Sequence, residues 1–92
     1  MTDDTVRVWL VERTFAEDLP NLIVLTYATP DGERDYRKER ALQMPGGGGR
    51  ETTAALDVDP DNLGEVSDPE TRERYATEAA RMAEKYDPDE AV

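Results

Sequence analysis

Two stretches of this chain are apolar on both alternating faces, and only one later segment has the pattern of an amphipathic helix. That imbalance constrains the fold more than any other feature. Thr5 to Arg13 (TVRVWLVER) reads as a strand with Val6, Val8 and Leu10 on one face. Trp9 and Val11 fall on the other face with Arg7 and Arg13, because successive strand side chains alternate. Leu22 to Thr29 (LIVLTYAT) repeats the pattern, with Ile23, Leu25 and Tyr27 set against Leu22, Val24 and Ala28. Pro30-Asp31-Gly32-Glu33 is turn chemistry, so Arg34 to Met44 is expected to return as a third strand anchored by Tyr36 and Leu42. Thr52 to Val58 is a weaker fourth strand, and Asp59 to Gly64 is a turn-rich connection.

The helix is expected over 67–86. Ser67 is placed as its N-cap, Pro69 sits in the first turn, and Glu70 stands three residues after the Ser, as in a capping box. Tyr75, Ala79, Met82, Ala83 and Tyr86 then recur at spacings of three and four. The expected architecture is α+β: a three- or four-stranded antiparallel sheet with one C-terminal helix packed on a face. Residues 1–4 are expected to be disordered and 5–86 to form a single domain. The Gly-rich loop 45–50 is expected to be mobile and the acidic tail 87–92 frayed.

One helix covers one face of such a sheet. The face carrying Trp9 and Val11, or its opposite, is therefore expected to remain partly open, and a contiguous apolar face of that kind marks an interface. A homodimer follows as the expectation. The alternative is that Thr14 to Asn21 and the Gly-rich loop fold over the face, with Phe15 and Leu19 as lids.

Composition narrows the chemistry. The 92 residues include no Cys and no His, so disulfides, thiolate or imidazole metal sites and His-based nucleophile systems are excluded. The single Ser, Ser67, is accounted for by capping. Asp57, Asp59 and Asp61 begin like a calcium loop, but Pro60 interrupts them and Asn62 stands where the sharp-turn Gly belongs. PGGGGR lacks the Lys-Ser/Thr ending of a phosphate loop. No catalytic residue, metal or cofactor is expected, and the reading leans away from an enzyme. A ligand binder or carboxylate enzyme stays as the remote alternative.

Twenty-two acidic residues face eleven basic ones, for a net charge of -11, and nine of the eleven are Arg. That balance points to adaptation to molar salt, where the Debye length falls to about 3 Å and self-repulsion is screened. The sign reverses in one place: residues 34–50 carry +3, against -5 before them and -9 after. Arg34, Tyr36, Arg37, Lys38 and Arg40 are thus candidates for an interaction surface, together with Trp9 and Val11. The partner could be the protein's own acidic helix, another acidic protein or, as an alternative, a nucleic-acid backbone with Tyr36 stacking on a base. Counterion-release binding weakens steeply with salt, which places nucleic acid behind protein. No apolar run approaches the roughly 18 residues of a membrane span, and the polar N-terminus is unlike a secretory leader; a cytoplasmic location is expected.

The segments VRVWLVER, YATPDGER and RYATEAARMAEKYDPD resemble a family of small haloarchaeal proteins of unknown function. The resemblance implies a halophilic, cytoplasmic protein and carries over no activity, cofactor or functional residue.

Overall fold

The computed structural model describes residues 4–15, 22–41 and 52–92. Five strands form one antiparallel sheet: β1 (Val6–Phe15), β2 (Leu22–Ala28), β3 (Arg34–Ala41), β4 (Ala55–Val58) and β5 (Gly64–Glu65). Their order across the sheet is β4-β1-β2-β3-β5, and α1 (Pro69–Lys85) follows them. The architecture is α+β as expected, but with five strands rather than three or four. The addition is β5, a Gly-Glu pair that meets only Arg34 and Asp35, so it has no apolar alternation to reveal it. Leu42, Leu19 and the 45–50 loop lie outside the described residues.

Cross-strand partners share a sheet face, which sorts the side chains. Val6, Val8, Leu10, Ile23, Leu25, Tyr27, Tyr36, Leu56 and Val58 lie on one face through the pairs Val6↔Val58, Val8↔Leu56, Leu10↔Tyr27 and Tyr27↔Tyr36. Trp9, Thr26, Ala28 and Ala55 lie on the other. A β-bulge between Leu10 and Glu12 shifts the register, so Glu12 stands opposite Thr26 and Arg13 opposite Leu25. Simple alternation assigns Arg13 to the Trp9 face; the extra residue of the bulge moves it to the Leu25 face instead.

Helix α1 covers the Trp9 face. Its Tyr75 clusters with Ala28 and Val66, and the Tyr75 hydroxyl reaches Glu12 Oε1 at 3.5 Å. Tyr75, Ala79 and Met82 are its buried residues, whereas Ala83, expected on the same stripe, is exposed. The N-cap is Asp68 rather than Ser67: its carboxylate accepts from the Thr71 backbone N–H at 3.1 Å and from the Thr71 hydroxyl at 2.7 Å. A charged cap beside Pro69 satisfies the first-turn amides more directly than a hydroxyl one residue earlier.

The centre of the opposite face is buried as well, with Val8 0% and Tyr27 1% exposed. Five residues, 59–63, including a 3-10 turn at Pro60–Asn62, link β4 at one edge to β5 at the other. Four strand spacings of a flat sheet measure about 19 Å, whereas a link of this length with a tight turn reaches only about 16 Å. The sheet must therefore curl. Arg40 on β3 also donates to Thr52 Oγ1 at 3.0 Å, just ahead of β4, which fits a sheet curled toward the Val8–Tyr27 face. Leu63 packs into the same cluster as these residues.

The expectation of an open apolar face is thus not met. Trp9 is 8% exposed and Val11 half-buried, while Phe15, assigned as a lid, is 66% exposed. The tail is not frayed either. Ala54 N donates to Glu90 O, Ala55 N to Pro88 O and Val92 N to Thr52 O, so the tail lies along the outer side of the chain leading into β4.

Candidate interaction surface

The cationic residues singled out in the sequence divide between the two faces of β3. Register sets Arg13, Leu25 and Lys38 in one row across β1, β2 and β3, and Phe15, Ile23 and Arg40 in the next, all on the curled face. Arg34 and Tyr36 share that face, and Arg37 projects from the opposite one with Asp35 and Glu39. One corner of that face thus carries Arg13, Lys38 and Arg40 together with Phe15, the one large apolar side chain left exposed among the described residues. Strand β2 separates the β1 pair from the β3 pair, and Arg40 also donates to Thr52. Arg13 and Phe15 were not assigned to it by sequence, because the bulge that turns them to this face carries no sequence signal.

Electrostatics agrees with the register. Burial pushes the Tyr27 phenol above its ordinary value, while the positive charges of Arg40 and Arg13 pull it the other way. Both cations therefore lie near that ring. Tyr36 packs on Tyr27 with centroids 6.2 Å apart, so its ring is partly engaged inside the protein. Arg37 has a loose ion pair with Asp35 at 4.0 Å and a side chain 67% exposed. Among the described residues no ion pair joins β3 to the acidic helix; the helix spends Arg74 on Glu12 and Arg81 on Glu78.

The backbone of β3 offers a second kind of contact. Arg34 O accepts from Thr29 N on the β2 side, and Glu33 O accepts from Val66 N on the outer side. Alternation then points the N–H and C=O groups of Asp35, Arg37 and Glu39 outward. Asp35 meets Gly64 of β5, and among the described residues no strand pairs with β3 beyond that point.

Other candidates are smaller. An open cleft of about 260 Å³ lies between Leu10–Arg13 of β1 and Glu78 and Met82 of α1, with Tyr86 just past the end of the helix. Arg81 donates to Glu78 there, holding that carboxyl below its usual range. The Asp57-Asp59-Asp61 run does not converge: Asp57 pairs with Arg7, which lowers its pKa, and Asp59 caps Asp61 N at 2.9 Å. No group of three acidic side chains suited to a metal occurs among the described residues. No described helix is long and apolar enough to cross a membrane.

No curated protein and no solved structure matches this chain. A family model does, over nearly the whole length. With residues 2–92 matched, the chain belongs to the "Family of unknown function (DUF7967)".

Proposed function

We propose that this chain is a small, salt-adapted, non-enzymatic protein-interaction module of haloarchaeal type that works in the cytoplasm. Its contact surface is the corner of Arg13, Lys38, Arg40 and Phe15. The observation that carries the reading is that those cations share one sheet face with an exposed aromatic ring, on a molecule whose net charge is -11. Arg and aromatic side chains are the types that concentrate binding energy at protein interfaces. An acidic protein is the partner this chemistry fits. A second copy of the chain is the simplest such partner, because the rest of its surface supplies the opposite charge. That homodimer uses the corner; Trp9 serves the protein's own core.

The test is absolute mass by light scattering at about 0.1 M and about 2 M KCl, a range over which the Debye length falls from about 10 Å to below 3 Å. Wild type is compared with Phe15→Asp and Arg40→Glu. A dimeric wild type beside folded monomeric variants is the expected result. A monomeric wild type at both salts removes self-association and leaves a different acidic protein as the partner.

The basic strand also raises nucleic acid as a second reading. Two features weigh against it: Tyr36 is partly engaged with Tyr27, and Arg37 lies on the opposite face from Lys38 and Arg40. Fluorescence anisotropy with a labelled single strand at molar KCl, showing no binding, sinks that alternative.

A further inference from the structure

The cationic corner explains which partner is attracted but not how β3 holds it. The edge supplies a mode. Residues 37–39 present outward backbone donors and acceptors that no described strand engages. Their side chains flank that edge on both sides: Lys38 and Arg40 on the curled face, Arg37 and Glu39 on the other. Charged side chains on an edge strand ordinarily discourage pairing. Here the charges are unequal, with three cations against one anion over 37–40, so they discourage cationic and neutral strands while favouring an acidic one.

We infer that β3 binds an acidic extended segment of another protein by strand addition, through the backbone groups of Arg37 and Glu39. This rests on the attraction of an acidic protein partner proposed above, not on self-association, and assigns its geometry. The incoming strand places carboxylates at every second position, against Lys38 and Arg40, because strand side chains alternate between faces. An acidic residue opposite Glu39 is repelled, which fixes the register: the acidic positions of the segment belong on the Lys38–Arg40 face and apolar or neutral ones on the other.

The probe is a peptide of about eight residues alternating glutamate and valine, a typical strand length, titrated at about 0.5 M KCl by isothermal calorimetry. A lysine–valine peptide is the control. Wild type binds the acidic peptide and not the basic one. Glu39→Pro removes an outward N–H that no described residue engages and is expected to weaken binding about tenfold or more, while Glu39→Gln binds as well as wild type or better. Lys38→Glu with Arg40→Glu also loses binding. N-methylation of alternate peptide residues keeps the test independent of whether Glu39→Pro folds: one alternating set abolishes binding and the other leaves it intact. On binding, the Arg37 and Glu39 amides gain protection from hydrogen exchange.

Two results overturn the inference. If folded Glu39→Pro and both N-methylated peptides bind like their parents while the double charge reversal does not, docking is by side chains alone. Strand addition then fails and the cationic corner stands. If wild type binds neither peptide, both the strand addition and the attraction of acidic segments fall.

Discussion

Gly32 is the position where a single methyl group should do most damage. Its φ is 73°, in the left-handed region, and it is the only described residue of positive φ. Gly32 N donates to Thr29 O at 2.8 Å, closing the turn between β2 and β3. A Cβ there would overlap the Arg72 carbonyl oxygen and stand 2.9 Å from Ala76 N, both backbone atoms of α1. The left-handed conformation costs a non-glycine residue about 1–2 kcal/mol. The overlap adds about 1–3 kcal/mol, since backbone in a packed helix cannot rotate aside as a side-chain tip can. Gly32→Ala should therefore lose about 2–5 kcal/mol, a large part of the roughly 5–15 kcal/mol that holds a domain of this class together. The assay is denaturant unfolding at molar KCl, followed by the fluorescence of Trp9, the single tryptophan and a core residue. Gly64→Ala is the control. Its Cβ would meet only the Asp35 carboxylate, at 3.3 Å, and that side chain can turn away. It should cost less than about 1 kcal/mol. A Gly32→Ala protein within about 1 kcal/mol of wild type would refute the close approach of turn and helix. Equal losses at Gly32 and Gly64 would show that the close approach to α1 does not set Gly32 apart, since the entropic effect of Gly→Ala is stabilising at both sites.

Three further outcomes are expected. Asp68→Ala should cost about 1 kcal/mol in thermal or chemical unfolding and Ser67→Ala almost nothing, since Asp68 makes the capping bonds; the reverse order would restore Ser67 as the cap. Ending the chain after Asp87 removes the acceptors of the Ala54 and Ala55 amides, and with Val92 lost should cost about 3 kcal/mol. Unchanged hydrogen exchange at Ala54 and Ala55 would count against a pinned tail. The Asp31 carboxyl is held below its ordinary range by the Thr29 hydroxyl, at 2.6 Å, and by the Glu33 amide. A folded pKa below the unfolded one means stabilisation present above about pH 4 and lost as the pH falls through the folded value. Thr29→Val should therefore destabilise more near pH 6 than near pH 2.5, and equal losses at the two would exclude the linkage.

Sequence by itself determined the elements whose stability is local. Alternation in VRVWLV and LIVLTYA marks β1 and β2 because a strand repeats every two residues, and PDGE marks their neighbouring turn through Pro and Gly backbone preferences. The Tyr75, Ala79, Met82 spacing marks α1, and the excess of acidic residues is independent of any fold. Tertiary structure decided what depends on distant partners. The bulge after Leu10 exists only against β2, yet it turns Arg13 toward the curled face and helps build the cationic corner. β5 exists only because Arg34 and Asp35 offer it an edge, and the tail is ordered only because the chain before β4 does. Curling of the sheet, required by the short link between β4 and β5, is legible in no local pattern, and Val8, Leu25 and Tyr27 are buried on the face toward which it bends. Counting one helix against two apolar faces leads to an open face because that reasoning assumes a flat sheet. A twisted, bulged sheet can fold around part of its own apolar surface, and that geometry arises from pairings far apart in sequence.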